Sequence, residues 1–254
     1  MKTILFLLVV ASLAFAQKPA TNKNRQVLLD FRVNRNVAPA VIPAATQRYV
    51  ISKVFRRYLA DDNRCNAKFD ASGDADPLAA ARKAGQIVPS IFDSAKGSFT
   101  AAGQSQTVYV ISVSECNASH ADNFGTKRVA IFAGQQLIAE FDVKFFQSIV
   151  RKTDLNGDGI DELLMTHGYT GQGTVTESAA LLSFQNGRLQ VIEDFEVVLE
   201  DSCASGSPGS AAGASVLYIS DAVPGQMPKF TRDNYVATCR SPNRWRLNSN
   251  RKMQ

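Results

Sequence analysis

Asp154-Leu155-Asn156-Gly157-Asp158-Gly159-Ile160-Asp161-Glu162-Leu163 places side-chain oxygens at loop positions 1, 3 and 5 and a glycine at position 6. That spacing is the start of a calcium loop. Calcium takes six to eight oxygen ligands at about 2.3–2.6 Å, so alternate residues of a tightly curled loop must all point inward. Gly159 permits the sharp bend that a side chain would hinder. The Ile160 carbonyl is then in position to ligate. An EF-hand would supply a glutamate at position 12, where this chain has Met165, and would continue as a helix. Leu163-Leu164-Met165-Thr166 reads instead as a strand. The loop therefore lies between strands, and the fold class that follows is mainly β.

The sequence on both sides agrees. From about residue 98, runs rich in Val, Ile, Phe and Tyr alternate with turn residues. Strands are expected at 107–115, 128–133, 136–142, 146–153, 162–168, 178–185, 188–193, 196–201, 213–219 and 234–238. Ala133-Gly134-Gln135 and Gln185-Asn186-Gly187 read as hairpin connections. The runs also repeat at offsets near 52 residues, Val129-Ala130-Ile131-Phe132 with Ala180-Leu181-Leu182, and 107–113 with 162–168 and then 214–219. Units of four antiparallel strands at this spacing are blade-like. Two units and the start of a third are legible, whereas a closed propeller needs at least about four. The expectation is blade-like antiparallel β-sheets, partly propeller-like, with a β-sandwich as the alternative.

At this point the loop and its flanking strands resemble the FG-GAP/VCBS-type repeat of integrin α-like β-propellers. The resemblance covers about residues 105–220 and rests on one loop, where that family usually has several. It implies a structural calcium held between strands of neighbouring blades. Carried over, it assigns Asp154, Asn156, Asp158 and Glu162 as side-chain ligands and Ile160 as a carbonyl ligand, with Asp161 facing outward.

Before the β region, helices are expected. Ile51, Val54, Phe55, Tyr58 and Leu59 form one apolar stripe at helical spacing over 46–60, with Arg48, Lys53, Arg56 and Arg57 largely off it. Such a face could meet a membrane or an acidic partner, or simply be solvated. Asp76-Pro77 and Gly85 bracket a second helix, and another turn or two is expected from Pro89 to about Ala95. Residues 17–45 read as an arm.

Residues 1–16 combine a basic start, an apolar centre and Ala14-Phe15-Ala16, a secretory signal peptide cleaved before Gln17. Its apolar part is shorter than the roughly 20 residues of a membrane span, and no later segment is long and apolar enough. The expected location is secreted or periplasmic. The formal net charge of +5 then divides: +1 from Lys2 in the signal segment, +7 over 17–64, −8 over 65–239 and +5 over 240–254. The organisation read here is signal 1–16, arm 17–45, helical segment 46–97, β domain 98–239 and basic tail 240–254. The tail suits a polyanion, and nucleic acid is the least expected partner of an exported chain.

Export also places Cys65, Cys116, Cys203 and Cys239 where disulfides persist. Four cysteines allow three connectivities; Cys65–Cys116 with Cys203–Cys239 is preferred. Neither zinc spacing nor a G-x-S-x-G elbow occurs. Gly168 to Thr174 is Gly-rich but lacks the Lys-Ser/Thr of a phosphate loop and reads as a flexible loop. Ser119-His120-Ala121-Asp122 holds triad residue types too close in sequence to form a triad. Glu193-Asp194 and Glu200-Asp201 are acidic pairs with residue types suited to glycoside cleavage, although solvated turns are the simpler reading. Two function classes result. One is a non-enzymatic calcium-binding protein that recognises a protein or glycan. The alternative is a hydrolase of glycans or phosphate esters, with its site on loops such as 116–127 or 168–177.

Overall fold

In a computed structural model of the chain, the structure describes residues 25–33, 40–116, 127–143, 146 and 148–248. Among these, twelve antiparallel strands follow or flank two short helices. The strands are β1 (Gln26–Asp30), β2 (Ile87–Gly97), β3 (Gln106–Glu115), β4 (Lys127–Ala133), β5 (Gln136–Asp142), β6 (Ser148–Thr153), β7 (Glu162–Gly171), β8 (Thr174–Ser183), β9 (Gln190–Asp201), β10 (Ala211–Ser220), β11 (Lys229–Thr238) and β12 (Ser241–Leu247). The helices are α1 (Ala44–Val54) and α2 (Pro77–Ala84). The protein is mainly β, as its sequence predicts.

Three four-stranded units emerge from the pairing. The first is the meander β2-β3-β4-β5, a separate sheet. The second is β6-β7-β8-β9, and the third is β10-β11-β12 completed by β1. β10 explains how the last two join. Its residues Ala212–Ala214 pair with the end of β9, while Val216–Ile219 pair with β1. Units two and three thus form one curled sheet, and a strand from near the N terminus finishes the last unit.

Alternation along the strands fills three apolar layers, because successive side chains point to opposite faces. On β3 and β4, Ile111, Val113, Ala130 and Phe132 face α1 and α2 through Val50, Ile51, Phe55 and Ala81. The alternate residues Val108, Val110, Val129 and Ile131 meet Leu163, Met165, Ala180 and Leu182 of unit two. On the other face of unit two, Leu164, Ala179 and Leu181 meet Leu28, Ala214 and Leu217 inside the curl. Unit two is therefore buried on both faces, which accounts for the continuous apolar run of β7.

The helices follow their end signals in one case only. Asp76 Oδ1 accepts the Ala79 N–H at 2.9 Å, Pro77 opens α2 and Gly85 closes it in the left-handed region at φ 72°. α1 stops at Val54, short of the expected 60, because Phe55 turns extended and the Leu59 N–H donates to Ile87 O. Four further expectations need correction. Pro89–Ala95 is part of strand β2 and not a helical turn. The supposed tail contains strand β12, and the supposed arm contains β1. Gly168–Thr174 is not a loop but a regular hairpin, with Gln172 and Gly173 both at positive φ in its two-residue turn.

Both preferred disulfides are present. Cys65–Cys116 ties the segment between the helices to the end of β3, and Cys203–Cys239 ties the β9–β10 connection to the β11–β12 turn. Their Cα separations of 5.4 and 5.3 Å are ordinary for disulfides. Among the described residues, no helix is long and apolar enough to cross a membrane. The signal segment 1–16 and most of the loop 116–127, including His120, lie outside the described residues.

Candidate metal loop and its surroundings

The loop between β6 and β7 folds around its own acidic side chains. Asp154 Oδ1 accepts the N–H groups of Gly157 (2.7 Å) and Asp158 (3.2 Å), and its Oδ2 accepts that of Gly159 (2.9 Å). Asn156 Oδ1 accepts the Asp158 N–H, and Asp158 Oδ1 accepts the Ile160 N–H. Such side-chain-to-backbone bonds reproduce the tight curl that the Asp, Asn and Asp spacing suggests. Gly159 sits at φ 81°, and a Cβ there would come within 3.0 Å of the Ala102 methyl of unit one. Both conformation and closeness therefore require glycine.

Glu162 opens β7 and is only 1% exposed. One of its carboxylate oxygens accepts the Leu155 N–H at 3.0 Å. It has no salt-bridge partner among the described residues. Burial first, then the neighbouring carboxylates of Asp158 and Asp154, push its pKa up to about 7, against the lowering effect of the Leu155 N–H. A buried carboxyl beside two further carboxylates is costly unless it is protonated or neutralised by a cation.

Asp161 differs from expectation. Its side chain is 15% exposed and does not face outward. Oδ2 accepts the Ser98 N–H at 2.8 Å, the Asp161 N–H donates to Ser98 O, and Lys152 Nζ lies 3.2 Å away. Gly97 makes room, since a Cβ there would collide with Asp161 Oδ2. The rest of the loop's setting was not visible in its own sequence. Gly225, between β10 and β11, donates to Asn156 O at 2.6 Å, and Gln185 reaches Asp158 at 3.4 Å. Nearby, Asn186 donates to Thr100 O. The loop is thus where units one, two and three meet.

The donor set fits calcium in its chemistry: hard oxygen atoms from three carboxyl groups and one side-chain amide, with the Ile160 carbonyl at position 7. Among the described residues, no three acidic, His or Cys side chains converge as a ready-made metal cage. Asp154, Asn156 and Asp158 are engaged with loop N–H groups instead, and a carboxylate has lone pairs for both tasks.

Two cavities lie elsewhere. One, of about 470 Å³, continues the concave interior of the curled sheet, where Phe31, Trp245, Glu177 and Asp201 line it. Val175 pairs with Asp201 and Glu177 with Leu199, so the two acids lie one pleat apart on one face. Glu193 and Asp194 instead border a separate exposed groove with Arg232. The other large cavity, of about 490 Å³, lies beside the ends of α1 and α2.

Comparison with known proteins gives no significant match to a family model, a curated protein or a solved structure. Function therefore rests on the geometry above.

Proposed function

We propose that the protein is exported and binds one structural calcium at Asp154, Asn156, Asp158, Ile160 and Glu162, and that its β units present surfaces for a protein or glycan partner without catalysing a reaction. The supporting observation is Glu162, a buried carboxyl without a cationic partner, in a loop that three units share. The ion would offset the acidic charge and join the units; it would have no chemical step to perform. The two disulfides support an oxidising compartment, and the N-terminal signal pattern supports export. Metal analysis of the purified chain, followed by a protein and glycan binding screen, tests the reading. One calcium per chain with a saturable partner supports it, and a metal-free chain at saturating calcium rejects it.

A second reading, hydrolysis of glycans or phosphate esters, draws on the concave cavity, which places Glu177 and Asp201 beside Trp245. Release of nitrophenol from nitrophenyl glycosides or phosphate, abolished in Glu177→Gln, would support it. No turnover across both substrate sets would dismiss it.

A further inference from the structure

The 490 Å³ cavity beside the helices is lined by five cationic side chains, Arg56, Arg57, Arg82, Lys83 and Arg128, and by no carboxylate. They come from three elements distant in sequence. Arg56 and Arg57 follow α1, Arg82 and Lys83 end α2, and Arg128 stands on β4. The closed end of α2 abuts the first pair, for the position a Gly85 Cβ would take is 3.0 Å from Arg57 Cβ.

Internal neutralisation is incomplete. Arg128 pairs with Asp142 at 3.1 Å and Glu140 at 3.0 Å. Arg82 reaches the same Asp142 only at 3.4 Å, and its Nε is buried with no hydrogen-bond acceptor. Arg56, Arg57 and Lys83 have no ion pair among the described residues. Two carboxylates thus face five cations. A concave, partly apolar wall focuses such a field more than a flat solvated surface does.

The remaining wall is apolar, formed by Val54, Phe55 and Ile87. The Arg82 and Arg128 guanidinium carbons lie 5.9 and 6.0 Å from the Phe55 ring centroid. Cation–π contact at that range and the Asp142 bridge hold both guanidinium groups in place before any ligand arrives. Guanidinium forks match the oxygen geometry of phosphate and sulfate, and a volume of this size suits a small molecule.

We infer that this cavity binds a small ligand carrying a phosphate or sulfate group, with the oxyanion among Arg56, Arg57 and Arg82 and an apolar portion against Val54 and the exposed edge of Phe55. The site is separate from the calcium loop and does not depend on it.

Phenyl phosphate and inorganic phosphate, titrated calorimetrically into the full chain, test the inference. Both should bind once per chain, phenyl phosphate more tightly, with affinity falling as salt rises. The double variant Arg56→Ala/Arg57→Ala, whose side chains are exposed and unpaired, should lose about tenfold or more in affinity with an unchanged melting temperature. Lys83→Glu gives a second reading should the double variant unfold. Truncation after residue 248, which spares β12, should leave binding intact. Absent binding, equal binding by the variants, or binding only to vesicles of equimolar phosphatidylcholine and phosphatidylglycerol would each overturn it.

Discussion

Glu162 accepts the N–H of Leu155 across 3.0 Å, a bond that joins the end of the loop to its beginning at a residue only 1% exposed. Every ligand position assigned to calcium lies on or between these two ends, apart from Asp154, which immediately precedes Leu155.

Without calcium, the Glu162 pKa of about 7 exceeds its ordinary 4.5. Between those values the folded chain holds a proton that the unfolded chain has released. This contribution is fully present below the unfolded pKa and is lost as pH rises through the folded one. Urea midpoints in chelator should therefore fall from about pH 5 to about pH 7, and Glu162→Gln should flatten that slope. Calcium needs the ionised carboxylate, so its binding should strengthen over the same range. Equal slopes in wild type and variant would remove Glu162 from the account.

Gly159→Ala should lower stability by about 1–2 kcal/mol, through its positive φ and the approach to Ala102. Denaturant midpoints measure this, and a neutral result would mean that the loop adopts another path.

Leu28 on β1 is 1% exposed and packs inside the curl. Leu28→Ala should cost about 2–5 kcal/mol if β1 truly completes unit three. A loss under about 1 kcal/mol, as at an exposed position, would show β1 to be dispensable.

The bridges close sequence separations of 51 and 36 residues. Loop-entropy reasoning gives each about 4 kcal/mol of stabilisation. Thiol titration of the native chain should find no free thiol, and Cys203→Ser/Cys239→Ser should melt well below the wild type.

Legible in the sequence were the interior strands, where Val108 to Val113 or Leu163 to Met165 are buried on one or both faces and announce themselves as apolar runs, and also the edge strands β5 and β6, where Leu137, Ala139 and Phe141 of β5 keep a clear alternation. The missed strands β1, β2 and β12 are all edges of their sheets. Edges tolerate Pro89 and Pro242 and carry charge, such as Arg244 and Arg246, so their pattern is weak. Phe55 to Leu59 kept a helical spacing, but Phe55 turns extended, the chain bends at Arg56 and Arg57, and the Leu59 N–H is drawn to Ile87 O of the first sheet. Within the loop, residue spacing was enough to nominate the ligands. The contributions of Ser98, Thr100 and Gly225 were not readable, because they arise only when the three units pack. Gly97 was the one local hint, a glycine where two segments approach closely. The cationic cavity likewise joins residues from three elements, of which the sequence singled out only Arg56 and Arg57.

The central claim is that calcium holds the junction of the three units. Its most direct test is the melting temperature of wild type and Asp158→Ala, each in excess calcium and in chelator. A ligand that binds only the folded state adds about 2.7 kcal/mol at a hundredfold excess over its dissociation constant. Calcium should raise the wild-type melting temperature by several degrees and leave Asp158→Ala unmoved. Identical wild-type melting with and without calcium would contradict the account.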